Sequence, residues 1–181
     1  MTEENLISIA KPYFDTCRPG DWNHALRVVK WVKELGQNRK DLDNLITAAY
    51  LHDIGWSGVM KTEKVDFDEI LKLEPVANKN TPVFVQKVLS QLNYDNNLIN
   101  EILRLINAAD NHNSSSDDEA IIVDADSLSK LCKEHVEEKY SKGSQKKLIA
   151  LWEKELPLRM KTEKGKALYQ KLLSKLKKEL P

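Results

Sequence analysis

From Asp41 to Leu51 the apolar residues Leu42, Leu45, Ile46, Ala48, Ala49 and Leu51 recur at helical spacing, and the run ends on Leu51-His52-Asp53-Ile54-Gly55-Trp56. A helix this apolar belongs between other helices. Gly55 is its expected stop, because glycine takes the left-handed C-terminal conformation without penalty. His52 and Asp53 leave the last turn about 100° apart, and adjacent residues on a helix do not face each other. A direct His–Asp hydrogen bond is therefore not expected. Two readings remain at this point: both side chains reach one divalent cation held between helices, or a capping histidine sits beside a solvated aspartate.

The rest of the chain is also patterned for helices. Residues 4–17 form a short amphipathic one, ended by Arg18-Pro19-Gly20. Asp21 is an N-cap for a helix from Trp22 to Leu35, whose stripe of Ala25, Val28, Val29, Val32 and Leu35 also carries His24. Over 57–80 the pattern gives a short helix from Val65 to Leu73 and a loop at Asn78-Lys79-Asn80. Thr81-Pro82 reads as an N-cap with proline at the first helical position, and Val85, Val88, Leu89 and Leu92 follow. A helix from Leu98 to Ala109, a polar loop over 110–116, and a helix opening at Asp117 or Asp118 come next. Glu134 to Pro181 reads as two charged amphipathic helices that break at Leu156-Pro157, the last beginning near Thr162. β-Branched residues occur singly rather than in alternating runs, so the expected fold is all-α.

Length and charge exclude several classes. With 181 residues the chain fits one domain, and 28 basic residues cancel 28 acidic ones, leaving no net field toward nucleic acid or an anionic membrane. No apolar run approaches the ~20 residues of a bilayer span, and Met1-Thr2-Glu3-Glu4 is no signal peptide. Cys17 and Cys132 are too few for a disulfide framework or a zinc cluster, as in a reducing compartment such as the cytoplasm.

Three helices bring metal-competent groups onto apolar faces. Asp124 shares a stripe with Ile121, Leu128 and Leu131, where an isolated carboxylate would cost several kcal/mol unless paired or metal-bound. Asp126, two residues on, is expected to point to solvent. With His24, His52 and Asp53, Asp124 completes a set of two imidazoles and two carboxylates, suited to one divalent ion among Mn, Fe, Co, Ni, Zn or Mg. A set without cysteine disfavours a structural zinc site. Taken singly, His24 and Asp124 also read as ordinary core polar groups.

The order of these residues resembles the HD-domain superfamily of metal-dependent phosphohydrolases. His24-Ala25-Leu26-Arg27-Val28 is similar to its H-x-x-R-V opening, and Ala48-Ala49-Tyr50-Leu51-His52-Asp53-Ile54-Gly55 to its A-A-x-L-H-D-I-G segment. Val123-Asp124-Ala125-Asp126-Ser127-Leu128 is similar to its x-D-A-D-x-L, and Lys161-Thr162-Glu163-Lys164-Gly165-Lys166-Ala167 to the tail of small bacterial members. The resemblance implies a single helical bundle of about seven to nine helices over 1–181, with a metal-site core over 1–133 and C-terminal helices over 134–181 packed on it. It implies His24, His52, Asp53 and Asp124 as metal ligands, Asp53 as the residue orienting the attacking water, and substrate phosphate held by basic residues. Arg27, His112 and Lys61 are the candidates for that last role, with Arg104 behind them. The implied activity is hydrolysis of a small phosphorylated metabolite, a nucleotide foremost, by a monomer or homodimer that binds neither nucleic acid polymer nor membrane.

The sequence departs from the family pattern in three places. Only His112 lies between the doublet and the last aspartate, which points to one metal. Trp56 stands where two branches place a water-activating glutamate, which raises the alternative of a catalytically degenerate binding or regulatory module. No GYP tripeptide is present, so the cyclic-dinucleotide branch is not supported. His135, in a charged segment, reads as exposed, and Trp56 as a packing residue or a platform for a base.

Overall fold

The computed structural model describes residues 2–60, 64 and 66–180. Among the described residues the chain is helical, with no strand: α1 (Glu3–Phe14), α2 (Asp21–Leu35), α3 (Leu42–Leu51), a 3-10 turn (Ile54–Trp56), α4 (Phe67–Gln91), α5 (Asn96–Asp110), α6 (Asp117–Ser129), α7 (Lys133–Lys139), α8 (Lys142–Arg159) and α9 (Glu163–Glu179). The all-α architecture is as the periodicity predicts, and no helix among the described residues is long and apolar enough to cross a membrane. α3 is buried from Leu45 to Leu51. It packs on α1, α2, α5 and α6, while α6 packs on α2 and α5 as well.

Gly55 has a different function from the expected one. It is not among the glycines with positive φ, which are Gly20 and Gly58. A Cβ at Gly55 would overlap the Ala77 carbonyl oxygen and the Thr81 hydroxyl. Glycine is needed so that the backbone of α4 can lie directly on the 3-10 turn, where Asn80 Nδ2 also donates to the Gly55 carbonyl at 3.3 Å.

That contact also explains why the loop expected at Asn78-Lys79-Asn80 is absent. α4 runs unbroken from Phe67 to Gln91 with Pro75 and Pro82 inside it. Each proline lacks an N–H, which leaves the carbonyls of Leu71 and Asn78 without helical partners. Thr81 does not cap; its hydroxyl donates to the Ala77 carbonyl at 3.1 Å, inside the helix. Burial of Ala77, Thr81, Val85 and Val88 against the bundle outweighs the local preference for a break.

The C-terminal segment makes three helices, not two, and α8 passes through Pro157 to Arg159. Pro157 leaves the Glu153 carbonyl free, and the Tyr169 hydroxyl of α9 donates to that carbonyl and to Trp152 O, each at 3.3 Å. A side chain from the next helix thus supplies the missing donor. α9 begins where expected, and Thr162 caps it, its hydroxyl accepting from Gly165 N at 2.9 Å. Asp21 is the first residue of α2 rather than its cap, a place taken by Gly20 at φ 75°.

Gly55→Ala should cost about 3 kcal/mol by overpacking. Gly143→Ala in α8, where a Cβ meets nothing within 4 Å, should gain up to about 1 kcal/mol. Urea unfolding of both variants checks the pair.

Candidate metal centre

α2, the end of α3 and α6 bring four side chains to one point. His24 Nε2 lies 3.0 Å from His52 Nε2, 3.1 Å from Asp126 Oδ1 and 3.7 Å from Asp53 Oδ2. His52 Nε2 lies 3.7 Å from Asp53 Oδ2 and 3.8 Å from Asp126 Oδ1. His52 and Asp53 converge because the chain leaves the α-helical path between them: His52 keeps φ −58°, ψ −36°, while Asp53 takes φ −95°, ψ 5° into the 3-10 turn. Adjacent residues can then share an object, which an uninterrupted helix forbids.

Hydrogen bonds on the far side of each ring assign the tautomers. His52 Nδ1 donates to the Ala49 carbonyl at 2.8 Å. The Ser129 hydroxyl donates to the Asp126 carbonyl at 2.6 Å, so it accepts from His24 Nδ1 at 3.0 Å. Both Nε2 atoms are then lone-pair donors, facing each other and two carboxylate oxygens. Burial drives the pKa of His24 down to about 3 and keeps the ring neutral. Two ligand atoms about 2.1 Å from a cation stand about 3.0–3.4 Å apart across right or tetrahedral angles. His24, His52 and Asp126 are accordingly able to hold a metal ion together, and Asp53 Oδ2 faces the same point. The donor set fits a divalent cation.

Cations flank the carboxylates. Arg18 Nη2 pairs with Asp53 Oδ1 at 2.7 Å, and Arg18 Nε with Asp21 Oδ2 at 2.9 Å. Its guanidinium stacks 3.7 Å from the centroid of Trp56. Lys139 pairs with Asp21 and stands 3.4 Å from Asp53 Oδ2. Lys130 pairs with Asp126 Oδ2 at 2.6 Å. Burial alone would push Asp53 up, but Arg18 and Lys139 hold it well below the usual carboxylate range; Lys130 does the same for Asp126. Each carboxylate thus has one oxygen on a cationic side chain and the other aimed at the histidines.

Asp124, expected as the fourth ligand, is elsewhere. It is fully buried, but its Oδ1 accepts from Lys161 N at 2.7 Å, and its Oδ2 accepts from Thr162 N at 2.8 Å and the Thr162 hydroxyl at 2.6 Å. It clamps the N-terminus of α9, and a Cβ on Gly165 would overlap it. Asp126, expected in solvent, is 5 % exposed, with its Oδ1 3.1 Å from His24 Nε2. The reason is that α6 is not amphipathic. Every residue from Ile121 to Ser129 is buried, so both carboxylates point inward on opposite sides. The small and apolar run Ala120-Ile121-Ile122-Val123 ahead of Asp124-Ala125-Asp126 was the available signal for an all-round buried helix.

A cavity of about 460 Å³ opens from these ligands. Phe67, Ile70, Leu71, Glu74 and Asn78 of α4 form one wall, and Leu151, Trp152 and Arg159 of α8 another, with Lys139, Tyr140, Asp110 and His112 between. Of the substrate-binding candidates, His112 lines this cavity. Arg27 does not; it pairs with Glu138 at 3.2 Å and reaches His135 Nδ1 at 3.4 Å. Lys61 lies outside the described residues. Arg104 is taken up by Asp118 and Glu119. Trp56 is buried under Arg18 and lines the cavity floor. His135 is buried, not exposed, with its ring centroid 4.8 Å from that of His24.

Asp110 is a further acid that sequence reasoning missed. Burial, reinforced by the charges of Asp53, Asp126 and Glu74, pushes its pKa up to about 8. It holds a proton at neutral pH.

The HD domain family model matches residues 21–159 of the chain. No curated protein matches it, and no solved structure does.

Asp126→Ala should weaken metal binding by at least about 100-fold, read by elemental analysis after dialysis. Asp124→Ala should keep the metal but cost about 3 kcal/mol, because it removes three hydrogen bonds to one charged group and the cap of α9. Folded metal-free protein keeps a proton on Asp110 that the unfolded chain loses above about pH 4, so its stability should fall as pH rises toward 8. Asp110→Asn should therefore raise the Tm of metal-free protein clearly at about pH 8.5 and little at about pH 4, measured by calorimetry in chelator.

Proposed function

The chain belongs to the HD domain family, and from that premise we propose that it is a metal-dependent phosphohydrolase of a small phosphorylated metabolite, a nucleotide foremost. One observation carries the reading. Lone pairs of His24, His52, Asp53 and Asp126 face one point in the bundle, and the hydrogen bonds behind both rings leave no proton between the two nitrogens. Only a cation satisfies such an arrangement at low cost.

A divalent ion held there supplies a hydroxide nucleophile at neutral pH and a Lewis acid for a phosphoryl oxygen. The protein's own groups do the rest. Arg18 and Lys139 fix the Asp53 carboxylate and keep it ionised. With one oxygen on Arg18 and the other toward the histidines, Asp53 is a ligand that orients water and a weak base. Asp110, a cavity-lining acid whose protonated form is favoured by burial, is the candidate to return a proton to the leaving oxygen. A volume of about 460 Å³ with Phe67, Tyr140 and Trp152 on its walls suits a nucleotide-sized ligand with a flat ring. Both cysteines are free, in keeping with a cytoplasmic setting.

Purified protein should carry close to one equivalent of a divalent transition ion by elemental analysis. With that ion restored it should release phosphate or pyrophosphate from members of a nucleotide panel. Asp126→Ala should lower the rate at least about 1000-fold. Metal and nucleotide binding without turnover across the panel would instead support the degenerate binding module that Trp56 raises.

A further inference from the structure

Four cationic side chains line the cavity: Arg18, Lys130, Lys139 and Arg159. The first three are already engaged. Arg18 and Lys139 are paired with Asp53 and Asp21, and Lys130 with Asp126. They position the metal ligands, so each could grip a substrate only by releasing one. Arg159 is different: among the described residues no carboxylate stands within 4 Å of its guanidinium. It is half-buried on the cavity wall, carried there because α8 continues through Pro157.

Across the cavity stands His112, a group the metal chemistry does not use. Its backbone is left-handed, at φ 53°, held by a hydrogen bond from its N–H to the Ala109 carbonyl at 3.2 Å. Its Nδ1 is buried without any partner among the described residues. Burial, then the positive charges of Lys130 and Arg159, push its pKa down to about 4 against the opposing pull of Asp126. At neutral pH the ring is therefore an uncharged hydrogen-bonding group set in the field of two cations. Among the described residues, a ring nitrogen without a partner and an arginine without a counter-ion thus line one cavity, an arrangement suited to an anion.

We infer that Arg159 and His112 form an anion subsite separate from the metal centre, which takes a second phosphoryl group of a di- or triphosphate substrate. Arg159 lies seven residues beyond Trp152 on α8, about 10 Å along the axis. Trp152 packs on His135, and His135 on His24. On this reading the reacting phosphoryl at the ligand cluster and an anion at Arg159 are different groups. The planar fork of arginine binds two phosphate oxygens at once, and the His112 ring closes the subsite from the α5 side.

The inference refines the phosphohydrolase reading and rests on it for the word substrate, but its test does not require turnover. Calorimetry with the Mn-loaded protein should show inorganic pyrophosphate binding at least about tenfold tighter than inorganic phosphate. Arg159→Gln should abolish that difference while leaving phosphate affinity and bound Mn unchanged, and His112→Ala should reduce it. Arg159→Lys, which keeps charge but loses the fork, should fall between. If phosphate and pyrophosphate lose affinity equally in Arg159→Gln, the residue serves the reacting group and the second subsite is wrong. If pyrophosphate is preferred but no nucleotide is hydrolysed, the subsite stands and the hydrolase reading fails. Where turnover is found, Arg159→Gln should raise KM for nucleoside triphosphates about 10- to 100-fold with kcat and monophosphate kinetics unchanged.

Discussion

Two imidazole nitrogens 3.0 Å apart, each with its proton on the far side of the ring, cannot bond to each other. Their lone pairs repel, and carboxylate oxygens at 3.1–3.8 Å add to that repulsion. In a dry interior such a group is tolerated only if the fold imposes it or a cation relieves it. Here the fold imposes it. The Ala49 carbonyl orients one ring and Ser129 the other, and the buried Arg18 and Lys139 with the half-buried Lys130 restrain the carboxylates, so the ligands are set before any ion arrives. Such preorganisation reduces the ordering cost of binding, because the protein's own packing has already fixed the rotamers.

Those cations have a second consequence. Arg18, Lys139 and Lys130 lie beside Asp21, Asp53 and Asp126, and the arrangement is balanced without metal. A buried ion cluster of this kind contributes little net stability, but losing one member costs about 3–5 kcal/mol because it leaves a charge unpaired. Its value is positional. With one oxygen of each ligand carboxylate fixed by a cationic side chain, the other has a single direction left. The same commitment removes these cations from substrate binding, and Arg159 is the cavity-lining cation left over.

Much of this was legible in the residues. Helical periodicity gave the class of fold, and His24 on an apolar stripe and the His52-Asp53 doublet pointed at the right helices. What failed, failed for tertiary reasons. Asp124 and Asp126 could not be ranked by a one-stripe reading of α6, since that helix is covered on every side. The loop at Asn78–Asn80 and the break at Pro157 were sound local inferences, overridden by the close approach at Gly55 and by the Tyr169 hydroxyl. His135 looked exposed among charged neighbours, because nothing local shows that α7 folds back beside His24. Asp110 and Arg159 carry no motif at all, and only the cavity singles them out.

α6 ties these observations together. Two residues apart, Asp124 clamps the start of α9 while Asp126 completes the cluster with His24 and His52. α9 in turn, through Tyr169, holds the carbonyl that Pro157 frees, and so allows α8 to reach Arg159. The C-terminal helices are thus part of the candidate site rather than an appendage to it: Lys139 and Tyr140 flank the candidate ligands, Trp152 backs them, and Arg159 ends the cavity wall. A change that loosens α9 should be felt first at the far wall of the cavity and only later at the ligands. The ligands sit on α2, α3 and α6, whose mutual packing does not involve α9 directly except through Asp124 and its neighbours.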